Sequence, residues 1–104
     1  NNVKFMYQFA DFNFNSKLRI LKYKDENDIK LSPKENELLK LLLNHLNDLM
    51  PRELALIKIW NDDNYFTSRS MDVYIAKIRK YLQKDDRLEI VNIHGEGFRL
   101  IEKK

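Results

Sequence analysis

From Phe5 to Leu31 apolar residues recur every second position. Phe5, Tyr7 and Phe9 alternate with polar neighbours, then Phe12 and Phe14, then Leu18 and Ile20. A period of two is what a strand with one buried face requires. Turn-forming groups separate the runs: Asp11, Asn15-Ser16 and Lys24-Asp25-Glu26-Asn27-Asp28. Ile29 to Leu31 adds a fourth short strand, so the N-terminal third reads as a small antiparallel sheet.

The period changes at Ser32. Ser32-Pro33-Lys34-Glu35 is a capping box with Pro at the first helical position. Leu38, Leu39, Leu42 and Leu46 follow at helical spacing, which predicts a helix ending near Asn47-Asp48. A second, short helix fits Arg52 to Trp60, with Pro51 near its start. Leu54, Leu56, Ile57, Ile59 and Trp60 lie on nearly all its sides, so it should be buried from several directions. Asn61 to Asn64 is a polar, acidic break. A third helix runs from about Ser68 to Gln83. At 100° per residue Met71, Ile75, Ile78 and Leu82 fall on one stripe, flanked by Tyr74 and Tyr81. Arg69, Val73, Ala76, Lys77, Lys80 and Lys84 occupy the opposite face. Glu89 to Ile93 is strand-like, His94-Gly95-Glu96-Gly97 is a tight turn, and Phe98 to Ile101 returns as a strand. A sheet, three helices and a hairpin make an α+β chain in the order of a winged helix-turn-helix.

Composition sharpens this picture. The 104 residues suffice for one domain with one core, here residues 1–104. No run of 18 apolar residues exists, so no membrane span or membrane partner is expected. No secretory h-region is visible, and the chain has no Cys, which suits a reducing cytoplasm. The missing initiator Met suggests a piece of something longer. Net charge is only +3, but its distribution is uneven. Residues 1–66 balance ten basic groups with ten acids. Thr67 to Lys84 holds five basic groups against one acid, Asp72. A basic segment in a balanced chain points either to a polyanion partner or to a solvated helix face. Val73 and Ala76 among the cations favour the first. A major-groove face needs charge for phosphate and guanine, and small apolar groups for the thymine methyl.

Enzymatic chemistry finds little to work with. His45 and His94 are far apart and in no metal-binding motif, no phosphate-cradling glycine loop exists, and both glycines sit in the hairpin turn. No catalytic residue, metal or cofactor is expected.

Four segments stand in an order that resembles a known family. These are Ser32-Pro33-Lys34-Glu35 with its Leu run; Arg52-Glu53 through Trp60; Arg69-Ser70-Met71-Asp72-Val73-Tyr74-Ile75 through Arg79-Lys80; and Ile93-His94-Gly95-Glu96-Gly97-Phe98-Arg99-Leu100. Together, over about residues 5–102, they resemble the DNA-binding effector domain of OmpR/PhoB-type response regulators. The resemblance implies a winged helix with an N-terminal four-stranded sheet. It also implies a receiver domain, absent from this chain, and a sensor histidine kinase in a two-component phosphorelay. The third helix would enter the major groove and the hairpin wing the adjacent minor groove.

On this resemblance Asp72, Val73 and Lys77 stand where relatives reach bases. Asp72 can instead be an acid favoured by the helix N-terminus. Arg69, Ser70, Tyr74, Arg79 and Lys80 match phosphate-contacting positions, although Arg79 lies close enough to the core stripe to pair with an acid. Trp60 either reaches a phosphate through its indole or serves the core. His94, Gly95 and Gly97 form the wing tip. His94 stands where relatives often carry Arg, and an imidazole is a weaker, pH-titrating reader of the negative minor groove, or a plain turn residue. Ala76 replaces a frequent basic residue, and Pro51 replaces the usual Ser cap of the second helix. In relatives the loop before the third helix meets RNA polymerase, which singles out Asp62, Asp63 and Tyr65; Phe66 can pack on the core. Double-stranded DNA in tandem half-sites and head-to-tail self-association on it are the implied partners. The competing reading is a winged helix that docks an acidic protein.

Overall fold

The computed structural model describes residues 4–61 and 65–103, with Tyr65 and Phe66 described for their backbone alone. Four strands, β1 (Met6–Phe9), β2 (Phe12–Asn15), β3 (Ile20–Tyr23) and β4 (Ile29–Lys30), form an antiparallel sheet in sequence order. The alternation works as its period demands. Tyr7, Phe9, Phe12, Phe14, Leu21 and Tyr23 all point inward and are buried. Cross-strand partners stack there, with Phe9 and Phe12 ring centres 5.4 Å apart and Phe12 and Tyr23 4.6 Å apart. Leu18 departs from the expected strand. It lies exposed in the β2–β3 turn, and Phe5 precedes β1 and is also exposed.

Helix α1 (Pro33–Asn44) starts on the expected capping box. Ser32 Oγ accepts from the Glu35 amide at 3.3 Å, and Glu35 Oε1 accepts from the Ser32 amide at 2.7 Å. The helix stops three residues before the predicted end. Asn47 takes a left-handed φ of 66° and donates its amide to Leu100 O at 2.8 Å, so the chain is already turning toward a strand. That strand, β5 (Leu49–Pro51), was not expected from the sequence. Three residues ending in Pro carry no alternation, and β5 exists because it pairs with β7. With β6 (Leu88–Ile93) and β7 (Gly97–Glu102) it forms a second sheet ordered β5-β7-β6.

Between β5 and β6 in the chain lie α2 (Arg52–Ala55), continued by a wider π turn over Leu56–Trp60, and α3 (Tyr65–Leu82). The second helix is less enclosed than its composition suggested. Ala55 and Leu56 are buried, while Leu54 and Ile57, one turn apart, face solvent. Asn61 ends the turn in a left-handed conformation. Helix α3 begins three residues earlier than predicted. The core is continuous: Leu38, Leu39 and Leu42 of α1, Met71, Ile75 and Ile78 of α3, Met50, Phe98 and Leu100 join the aromatic face of the first sheet. A charged clasp ties the two sheets on the far side. Arg87 donates to both Asp85 (2.8 Å) and Asp11 (2.9 Å), and the Ala10 amide donates to Glu102 at 2.7 Å.

Candidate nucleic-acid interface

Helix α3 is amphipathic in the sense its spacing predicts. Met71, Ile75, Ile78 and Leu82 are buried, and Tyr74 and Tyr81 are half-buried at the margins. Arg69, Val73, Ala76, Lys77, Lys80 and Lys84 are all exposed, with Val73 55% accessible. Arg69, Ser70, Asp72, Val73 and Ala76 together line a shallow open groove of about 490 Å³. An apolar patch with cations on both sides is thus displayed to solvent along a single helix face.

Several candidate residues already have partners within the chain. Lys77 Nζ lies 5.1 Å from the Tyr74 ring centre, Tyr74 packs at 5.7 Å against Trp60, and Lys34 Nζ sits 5.5 Å from the Trp60 ring. Trp60 is partly buried against the core, so its ring has a packing role whatever its indole meets. Arg79 donates to the Ile90 carbonyl at 3.1 Å, joining α3 to β6 rather than pairing with an acid. Lys84 pairs with Glu26 in the β3–β4 turn. Asp72, the lone acid of this segment, is paired with Arg52: Nη2 lies 2.7 Å from Oδ1.

Behind the basic face a part-buried pair holds α3 against the start of α1. The Tyr81 hydroxyl donates to Glu35 Oε2 at 2.8 Å. Burial works against the Glu35 charge, but the Ser32 amide, the Tyr81 and Ser32 hydroxyls and the positive charge of Lys77 outweigh it. The carboxyl therefore titrates below its usual range. Burial, then the bond to Glu35 and its charge, push the Tyr81 phenol up to about 12. At neutral pH the pair is a carboxylate and a neutral phenol.

The wing is built on its glycines. Gly95 has φ +77°, a conformation that side-chain-bearing residues seldom adopt. At Gly97 a Cβ would stand 2.1 Å from Met50 O, so β5 and β7 pack this closely only without a side chain there. His94 and Gly95 are exposed at the tip, and Gly97 is buried at its base. Asp62 and Asp63 lie outside the described residues, as do the side chains of Tyr65 and Phe66.

One residue at this interface is Arg52, which the sequence marked only as part of a motif. It sits where α2, α3 and the wing converge, beside an open crevice lined also by Ser68, Gly95 and Glu96. Its only sequence signal was that of a cation upstream of a basic segment containing one acid.

Comparison with known proteins places this arrangement. Residues 25–100 match the model of the family described as "Transcriptional regulatory protein, C terminal". The transcriptional regulatory protein RprY of Bacteroides fragilis is 50% identical over 97% of this chain, which covers 42% of RprY. The chain belongs to this family. It is a winged-helix DNA-binding effector domain of the OmpR/PhoB type, a family of transcription regulators and not of enzymes. Its fold is that of the response regulator DrrB of Thermotoga maritima, an OmpR/PhoB homologue, with TM-score 0.76 and 29% identity over 94% of this chain and 45% of DrrB. The RstA DNA-binding domain of Klebsiella pneumoniae, solved in complex with the RstA box, superposes with TM-score 0.76 at 22% identity, over 92% of this chain and 96% of that one. The chain spans less than half the length of RprY. Among the described residues no helix is long and apolar enough to cross a membrane.

Proposed function

We propose that this effector domain binds double-stranded DNA in a sequence-specific way, with α3 in the major groove and the β6–β7 wing at the adjacent minor groove. The exposed face of α3 carries the reading: Val73 and Ala76 stand in the open among Arg69, Lys77, Lys80 and Lys84. Lys77 donates to guanine, Val73 meets a thymine methyl, and Asp72 accepts from a cytosine amino group with capacity left beyond its bond to Arg52. Arg69, Ser70, Tyr74 and Lys80 contact phosphates, joined by Arg79 and Trp60 from their braced positions. His94 and Gly95 approach the minor groove, over the close packing that Gly97 permits.

The same reading extends to the whole protein. A receiver domain and sensor kinase control this domain in the cytoplasm, it occupies tandem half-sites as head-to-tail pairs, and Asp62, Asp63 and Tyr65 face RNA polymerase.

Selection of bound sequences from a random DNA pool, at stated salt, tests the proposal. An enriched motif is expected, bound with affinity that falls steeply with salt. Lys77→Ala should cost about 1–3 kcal/mol and relax one position of the motif. Arg69→Ala should weaken all sequences alike. A pool that yields no motif would favour the protein-docking alternative, with the basic face meeting an acidic partner.

A further inference from the structure

The strongest unassigned feature is the set of contacts made by Arg52. Its backbone amide donates to the Glu96 carbonyl of the wing turn at 2.9 Å. Its Nε donates to Ser68 Oγ at 2.9 Å, and its Nη2 to Ser68 Oγ at 2.6 Å and Ser68 O at 3.1 Å. Nη2 also donates to Asp72 Oδ1 at 2.7 Å. The guanidinium carbon lies 5.5 Å from the Phe98 ring centre at the base of β7. One residue thus touches the first half of α3 and, in the wing, the turn and β7, from the first position of α2.

An ion pair this exposed (25% for Arg52, 54% for Asp72) adds little stability by itself. Its geometry matters more. The planar fork spans two residues one turn apart on α3, which fixes the helix in rotation and along its axis. The Asp72 carboxylate is held toward α2 by this pair.

We propose that Arg52 is the positioning residue of this domain. It sets the recognition helix against the wing and orients Asp72, and so governs sequence discrimination rather than bulk attraction to DNA. The inference rests on the DNA-reading function proposed above. A cation that merely neutralised a phosphate would behave differently. Removing such a contact lowers the salt slope of log K by about 1 and weakens all sequences alike. Removing a positioning residue leaves the slope and lowers the preference.

The test compares wild type, Arg52→Lys and Arg52→Ala. Affinity is measured across salt for the selected operator and for unrelated duplex DNA, and amide hydrogen exchange is measured in the free protein. Arg52→Lys keeps the charge and loses the fork, so it remains informative if Arg52→Ala unfolds. For Arg52→Lys the operator should weaken by about tenfold, the scale of losing charge-assisted hydrogen bonds. Unrelated DNA should change by less than about twofold, with the salt slope unchanged. Amides of Ser68–Asp72 and Glu96–Phe98 should exchange faster, and Asp72→Asn should cost less in the Arg52→Lys background than in wild type. Equal losses on both DNAs with a lower salt slope would overturn the proposal, as would an Arg52→Lys protein with wild-type discrimination. A wild-type domain that prefers no sequence would sink the DNA-reading function instead. Exchange at the two segments would then still decide whether Arg52 holds them.

Discussion

At Val73 a β-branched apolar side chain is more than half exposed on a helix rich in cations. On the proposed reading it meets a thymine methyl, which then leaves water. Burying one methyl is worth about 0.8 kcal/mol, or about fourfold in affinity. Replacing the contacted thymine by uracil, which lacks only that methyl, should therefore weaken the wild-type domain by about that factor. The loss should shrink in Val73→Ala. Titration of matched thymine and uracil duplexes measures both, and equal loss in the two proteins would remove Val73 from the contact. Val73 was visible in the sequence because polarity and position disagreed. Arg52 was not, because an arginine at a helix start looks the same whether it meets water, phosphate or a carboxylate. Nor did spacing along the chain reveal that Asp72 is 20 positions away yet within hydrogen-bond reach.

Among the elements, the helices were legible to the extent that local rules made them. The capping box starts α1 where it should, and the apolar stripe of α3 is buried residue for residue. Ends and edges were less legible. α1 stops early and β5 forms because β7 supplies its hydrogen bonds, a pairing between residues almost 50 positions apart. The α3–β6 corner depends on a similar long-range arrangement. Asp85 is nearly buried, and bonds from Arg87, and from the amide of Asp11, outweigh that burial and hold its carboxyl far below the usual range. A carboxyl depressed in the folded state stabilises fully above its unfolded value of about 4 and loses that contribution as pH falls below it. Asp85→Asn should lower stability by about 1–3 kcal/mol at pH 7. It should also flatten the fall in stability below pH 4. Urea unfolding at pH 7 and pH 3 measures both effects, and parallel pH profiles for variant and wild type would contradict this account.

At the scale of the whole molecule, the two sheets share one core, on which α3 is seated. The principal extents are 39 × 30 × 26 Å, close to the rise of one turn of B-DNA (about 34–36 Å) in the longest dimension. Two such domains arranged head to tail suit half-sites about one helical turn, or 10 bp, apart. A two-site duplex at that spacing should bind two domains with higher affinity than one whose sites are moved by about half a turn. Mobility-shift titration of the two duplexes checks it. Identical affinities would mean that isolated domains bind independently.

The sequence alone determined what periodicity and local chemistry control: strands in the first third, the capped helix, the amphipathic α3 with its basic face, and the two glycines of the wing. These rest on contacts within a few residues or on the burial of one face. Only the tertiary structure decided which cations on and around α3 are already engaged, that Leu54 and Ile57 are left outside, that a third strand completes the wing sheet, and that Arg52 joins helix and wing. Each depends on which distant surfaces meet, and that is settled by the packing of the shared core rather than by any run of neighbouring residues.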